Sequence, residues 1–116
     1  MWLFLLYLAT GSLYASPPPV ITAQPTNQSV PYQGNVTFSV SVSSSTTVNY
    51  QWYFNSNVIG GATNSSYTKY NLDYSDAGTY YVAVTNGGGG LLSTNATLTV
   101  TVPVRRTSTP SPNPRR

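Results

Sequence analysis

The chain has 116 residues, which is enough for one folded domain and not for two. It carries five basic and two acidic residues, and it contains no cysteine and no histidine. This composition excludes disulfides, cysteine nucleophiles and cysteine-bound metals, and it removes the usual general base near neutral pH. The sequence therefore predicts a protein that is not an enzyme and that needs no metal or other cofactor.

Residues 1–15 predict a signal peptide. The apolar run Trp2–Ala9 is shorter than the about 20 residues that a membrane-spanning helix needs, and small and polar residues follow it up to Ala15. Cleavage after Ala15 would export the chain, so we expect a secreted or cell-surface protein without a stable membrane span. No Lys or Arg precedes the run and Leu13 is large for its position, so the alternatives are a retained N-terminal anchor or a wrongly chosen start codon.

Two proline-rich segments flank the central part of the chain. Residues 16–19, SPPP, predict a stiff extended linker. Residues 103–116, PVRRTSTPSPNPRR, lack aromatic residues and any apolar period, which predicts a disordered basic tail. That tail is either a solvated linker or a segment that makes weak contact with an anionic surface. Its four arginines are Arg105, Arg106, Arg115 and Arg116.

The central residues, 20–102, predict short β-strands without any helical period. In Asn35–Ser43 apolar and polar residues alternate strictly, which is typical of a half-buried strand. About seven strands separated by Asn- and Gly-rich turns predict an all-β, two-sheet Greek-key sandwich. The glycine-rich stretch Asn86–Gly90 is expected to be a tolerant hairpin tip. The predicted strands are 20–24, 28–31, 35–43, 48–55, 66–72, 79–85 and 91–102.

Three motifs, in the correct order, carry a family resemblance. Asp76–Val82, DAGTYYV, resembles the D-x-G-x-Y-x-C signature of immunoglobulin domains. Tyr50–Tyr53, YQWY, resembles the strand that carries the core tryptophan of that family, and Gly34–Val40 resembles its second strand. The chain is most similar to cysteine-less domains of the I-set type, as in tandem repeats of bacterial surface and secreted proteins. The resemblance covers residues 20–102.

The resemblance implies structural roles for four residues. Trp52 would fill the centre between the two sheets. The Tyr80 hydroxyl would bond to the backbone upstream, Gly78 would form a tight turn, and Asp76 would bond to neighbouring backbone amides.

The sequence departs from the family pattern at the two cysteine positions, which hold Val40 and Val82. The resemblance then implies an immunoglobulin-like core without a disulfide, held by packing alone. A second departure is Lys69, which by register from Leu72 falls where an inward apolar residue is expected. Either its ammonium group reaches outward from a buried stem, or the strand register is shifted.

A candidate interaction face follows from the same register. If Trp52 and Val82 face the core, then neighbouring residues of the same two strands face outward, and two of them are tyrosines, which suit recognition surfaces. Tyrosine is also common in strands for its packing alone, so a purely structural role is the alternative. The residues of this face are Gln51, Tyr53, Tyr81 and Ala83.

Two functions remain open. The first is an extracellular binding or adhesion module whose partner is a protein or glycan, or a copy of the same domain. The second is a structural spacer, or a filament subunit, from a longer tandem-domain protein. Nucleic acid is not expected as a partner, because the central part carries a single basic residue, Lys69. N-glycosylation is a minor hypothesis at four sequons, which are Asn27, Asn35, Asn64 and Asn95.

Overall fold

The structure is a computed structural model that describes residues 16–103. Within this range the chain forms ten β-strands and a single 3-10 turn at Tyr74–Asp76. The predicted signal peptide and the four tail arginines lie outside the described residues. The strands are β1 (Val20–Ala23), β2 (Gln28–Pro31), β3 (Val36–Ser39), β4 (Ser41–Ser43), β5 (Asn49–Phe54), β6 (Asn57–Val58), β7 (Ser66–Lys69), β8 (Gly78–Asn86), β9 (Gly89–Leu92) and β10 (Ala96–Thr101).

The strands form two layers, as the alternating sequence predicts. In the larger layer the order is β2-β10-β8-β5-β6, and β9 also pairs with β8. In the smaller layer β1 pairs with β4 and β3 pairs with β7. Only Val40 separates β3 from β4, so these two short pairs continue one another. The predicted all-β sandwich is confirmed.

The N-terminal strand region is shared between the two layers. β1 pairs antiparallel with β4, whereas β2 pairs parallel with β10. The buried Pro25 lies between them, and since proline has no N–H to donate, it ends the first pairing and the chain crosses to the other layer.

Ser93 interrupts the strand that the sequence predicts over 91–102. Its backbone N–H donates to the Val82 carbonyl at 2.9 Å, and its hydroxyl accepts from the Val82 N–H at 3.0 Å. The side chain therefore supplies a bond that the backbone ladder would otherwise make, and the strand is divided into β9 and β10 without leaving a buried N–H unpaired.

The short strand β6 is not predicted from the sequence. It follows a two-residue turn in which Asn55 and Ser56 have φ of 47° and 73°. Positive φ at both central residues is typical of the type I′ turn that joins strands in a tight hairpin. The turn brings Asn57 opposite Phe54 and ends the larger sheet at its β6 edge.

The core lies between the two layers and is rich in aromatic rings. Trp52, at 0% exposure, donates from its indole nitrogen to the Asn64 carbonyl at 2.8 Å. The rings of Phe38 and Tyr80 stack with centroids 4.7 Å apart. Burial of these large side chains is the main stabilising contribution in a sandwich of this size.

Candidate interaction surface

Val40 and Val82 lie in the core, with exposures of 6% and 0%. They pack in one apolar cluster with Trp52. At these positions the chain makes apolar contacts where the family resemblance places a disulfide. Burying each valine contributes about 1.5–3 kcal/mol relative to exposing it.

A compact hydrogen-bonded turn surrounds Asp76. The Asp73 side chain caps the 3-10 turn, and the Asp73 N–H donates to Asp76 Oδ2 at 2.8 Å. The Tyr80 hydroxyl donates to the Asp76 carbonyl oxygen at 2.8 Å. Burial raises the pKa of the Tyr80 hydroxyl, and the Asp76 carboxylate adds to this rise. Both acidic residues therefore hold backbone geometry in this part of the fold.

The tight-turn role expected of Gly78 is wrong. Gly78 is the first residue of β8 and pairs with Leu98. A Cβ at this position would lie 2.6 Å from Asn55 Oδ1 and 2.7 Å from a ring carbon of Phe54. Glycine is needed here because the β5–β6 turn passes directly over the backbone.

The structure distinguishes the two alternatives for Lys69. Lys69 pairs with the buried Val36, and Tyr67 pairs with the buried Phe38, so the register is regular and Lys69 lies on the inward side of β7. Its ammonium nitrogen lies 3.7 Å from Asp76 Oδ1, and its side chain is 40% exposed. The stem of Lys69 thus passes over the edge of the core while its charge stays near solvent.

Two of the predicted face residues form an aromatic pair. Tyr53 and Tyr81 lie directly opposite one another on β5 and β8, with ring centroids 5.0 Å apart and planes 7° from parallel. Both are half-buried. Because each ring restricts the rotation of the other, the pair presents a rigid aromatic surface.

Two further residues extend this surface, and sequence reasoning missed both. Val58 pairs with Tyr53 and is 59% exposed, and Leu92 pairs with Ala83 and is 60% exposed. Directly opposite residues share a face of the sheet, so these residues lie beside the tyrosines. Their apolar character is visible in the sequence, but their place depends on the unpredicted β6 and on the break at Ser93. We call this surface the tyrosine face: it comprises Tyr53, Val58, Tyr81, Ala83 and Leu92.

Gln51 lies opposite Ala83, but it is not free to bind a partner as expected. Its side-chain amide donates to the Ile59 carbonyl at 2.7 Å and to the Trp52 carbonyl at 3.1 Å. These bonds tie the chain that follows β6 to the sheet. We therefore leave Gln51 out of the tyrosine face and interpret it as a support beneath it.

The N-terminal segment Ser16–Pro18 packs on the glycine-rich hairpin. The Asn86 side-chain amide donates to the Pro17 carbonyl and to the Ser44 hydroxyl, each at 2.9 Å. A Cβ on Gly88 would lie 2.6 Å from the carbonyl carbon of Pro17. The sequence predicted a tolerant hairpin tip, and this prediction is wrong at Gly88. A side chain there would collide with the proline segment, whose backbone crosses the tip in direct contact.

Among residues 16–103, His, Cys, Asp and Glu side chains nowhere form a group of three that could hold a metal ion. In the same range, the structure contains no helix with the length and apolar character needed to cross a membrane.

Comparison with known proteins agrees with this architecture. Residues 18–86 match the family model described as "Immunoglobulin domain". Comparison with curated proteins finds no match.

Solved structures give the same result. A structure of titin M4 is 28% identical, with a TM-score of 0.68, over 74% of this chain and 98% of that one. A mutant form of the titin M10–obscurin-like 1 complex is 16% identical, with a TM-score of 0.69, over 78% and 99%. The tandem immunoglobulin repeats of Dlar are 23% identical, with a TM-score of 0.67, over 73% of this chain and 49% of that one. The chain belongs to the immunoglobulin-domain family.

Proposed function

We propose that this chain is an extracellular interaction module of the I-set type, and that it binds a protein partner through the tyrosine face. The observation that carries the proposal is the stacked pair of Tyr53 and Tyr81, flanked by the exposed Val58 and Leu92. Aromatic residues with restricted rotation offer a large contact area at a low entropic cost. The role is binding and not catalysis, since the chain contains neither histidine nor cysteine.

The chemistry of the face favours a flat, apolar protein surface as the partner. The charged residues of range 16–103 are Lys69, Asp73 and Asp76, and none of them belongs to the tyrosine face. Since the face carries no charge, affinity would come from desolvation and packing, and we expect it to depend little on salt. The same rings could stack on a glycan, and enzymatic removal of glycans from the partner distinguishes a glycan from a protein surface.

The test compares three forms of the chain in quantitative affinity capture from cell-surface proteins. These are the wild type, the double variant Tyr53→Ser with Tyr81→Ser, and the control Tyr70→Ser, which removes a tyrosine that is 63% exposed and outside the face. We expect one partner to be enriched by the wild type and the control and lost with the double variant. A direct titration with the purified partner then measures the affinity of each form.

Two outcomes would overturn the proposal. Equal capture by all three forms would exclude the tyrosine face. Loss of binding after enzymatic removal of glycans from the partner would mean that the tyrosine face binds a glycan and not a protein surface. Far-UV circular dichroism shows whether the double variant is folded, so that a loss of binding caused by unfolding is recognised.

A structural spacer is the second candidate function. It is supported by the proline segment Ser16–Pro18, which lies against the hairpin at Gly88 and so defines the direction in which the chain enters the domain. Light scattering separates the two candidates. A monomer that binds a partner supports the interaction module, whereas assembly of the purified chain into polymers supports the structural role.

A further inference from the structure

A pocket of about 260 Å³ opens at the edge of the sandwich between β6 and β7. The two strands belong to different layers, and residues 59–65 connect them without forming a strand between them. The edge of the core is therefore accessible from this side. The residues that line the pocket are Phe54, Asn57, Val58, Ile59, Tyr67, Lys69, Asp76 and Tyr80.

The floor of the pocket is aromatic. The Phe54 and Tyr80 rings lie 4.8 Å apart and the Tyr67 and Tyr80 rings 6.2 Å apart, measured between centroids. Tyr80 is 2% exposed and cannot move without disturbing the core. A hollow of this volume, lined by fixed rings, suits one large apolar side chain and is smaller than most cofactor sites.

The rim of the pocket carries a donor and an acceptor side by side. Lys69 Nζ lies 3.7 Å from Asp76 Oδ1, which is too far for a direct hydrogen bond. Asp76 Oδ2 accepts from the Asp73 N–H at 2.8 Å, so that oxygen is already engaged. Within residues 16–103, no side-chain hydrogen bond involves Lys69 Nζ or Asp76 Oδ1. Both atoms can therefore receive a ligand.

We propose that this pocket binds one residue of an extended peptide segment through its aromatic or branched aliphatic side chain. In an extended strand the N–H and the C=O of one residue point to the same side, as when antiparallel strands exchange two hydrogen bonds. The peptide N–H would donate to Asp76 Oδ1 and its C=O would accept from Lys69 Nζ. The side chain of that residue fills the hollow over Tyr67 and Tyr80.

The rim chemistry argues for a neutral peptide group over a charged ligand. A carboxylate attracted by Lys69 would be repelled by Asp76, and an ammonium group attracted by Asp76 would be repelled by Lys69. The backbone N–H and C=O of one residue, a donor and an acceptor on the same side of an extended strand, match both atoms without a net charge. The inference does not rest on the tyrosine face, since the two sites share only Val58.

The test is an NMR titration of the isotope-labelled full chain with capped single residues. The probes are N-acetyl-leucinamide and N-acetyl-phenylalaninamide, with N-acetyl-alaninamide as the small control. For ligands of this size we expect dissociation constants of about 1 mM for the two large probes and no saturation with the alanine probe. The resonances that shift should belong to Asn57–Ile59, Tyr67 and Lys69.

Three variants keep the test specific. Asn57→Phe places a ring at the pocket mouth, because Asn57 lies opposite Phe54 and shares its face of the sheet. Val20→Phe also introduces a ring, at a residue that is 58% exposed and not part of the pocket lining. Lys69→Met keeps the length of the side chain and removes the donor. We expect Asn57→Phe to abolish binding, Val20→Phe to leave it unchanged, and Lys69→Met to weaken it about tenfold.

The proposal is overturned if the large probes fail to saturate, or if the shifts map to Tyr53 and Tyr81 in place of the pocket. It is also overturned if Asn57→Phe and Val20→Phe bind equally well. Phenylacetate serves as an anionic probe. If this acid binds more tightly than the capped residues, the pocket prefers a carboxylate to a neutral peptide group and the proposal is wrong. None of these outcomes depends on whether Tyr53 and Tyr81 bind a partner.

Discussion

Tyr80 is a buried residue, at 2% exposure, whose hydroxyl is a weak acid. It donates to the Asp76 carbonyl oxygen and joins β8 to the turn that precedes it. Its ring meanwhile stacks on Phe38 in the core. One residue thus links the packing between the layers to the backbone geometry of the turn, and deprotonation would break the bond and leave a charge in an apolar site.

We expect Tyr80→Phe to cost about 1 kcal/mol at neutral pH through loss of this hydrogen bond. Its effect on alkaline stability has the opposite sign. Burial, with a contribution from Asp76, raises the pKa of Tyr80 in the folded protein, so above the ordinary tyrosine pKa of about 10 the unfolded chain loses a proton that the folded chain keeps. The stabilisation by Tyr80 is therefore complete below that pH and is lost as the pH rises further.

Urea unfolding at about pH 9 and about pH 11 measures this difference. The wild type should lose about 1.4 kcal/mol more than Tyr80→Phe over that interval. Tyr70→Phe, at a position that is 63% exposed, is the control and should follow the wild type. Identical losses in all three forms would contradict the assigned role of Tyr80.

At the scale of elements, the β8–β9 hairpin acts together with a segment about 70 residues away in the chain. Asn86 bonds to Pro17 and to Ser44, and its side-chain oxygen accepts from the Gly88 N–H at 2.7 Å. Gly88 leaves room for the proline segment to cross. The hairpin tip is thus shaped by tertiary contact and not by the flexibility of its glycines.

We expect Gly88→Ala to destabilise the domain by about 1–3 kcal/mol, since the added methyl group must displace the proline segment or bend the hairpin. Gly60→Ala is the matched control, because a Cβ there would meet no atom within 4 Å. Urea unfolding measures both free energies, and the side-chain amide resonance of Asn86 reports whether the bond to Pro17 survives. Equal stability of the two variants would show that the segment does not occupy the hairpin.

At the scale of the whole molecule, the two-layer architecture could be predicted because the apolar residues alternate with period 2 and the motifs around Trp52 and Tyr80 occur in order. The tyrosine pair could be predicted for the same reason. Three features could not. The strand β6 has only two residues, the break at Ser93 depends on a side chain replacing a backbone bond, and the position of the proline segment depends on contacts distant in sequence. The first two of these features also determine which residues join Tyr53 and Tyr81 on the surface.

The distribution of charge leads to a prediction for the whole fold. Across residues 16–103 the charged side chains are Lys69, Asp73 and Asp76, and the ion pair between Lys69 and Asp76 is long, at 3.7 Å. A pair of this kind contributes little, and salt screens it. The stability of the domain must therefore come from apolar packing and backbone hydrogen bonds. Neither contribution depends much on ionic strength between about 20 and about 300 mM salt.

We expect the free energy of unfolding to change by less than about 0.5 kcal/mol between about 20 and about 300 mM NaCl. Urea titrations of the full chain measure it, and a variant in which Arg105, Arg106, Arg115 and Arg116 are all replaced by Gln is the control. A decrease of more than about 1 kcal/mol that disappears in the Gln variant would mean that the basic tail docks on the acidic turn at Asp73 and Asp76. If the stability of both the wild type and the Gln variant is insensitive to salt, the tail arginines do not dock on the domain and are free for contacts outside it.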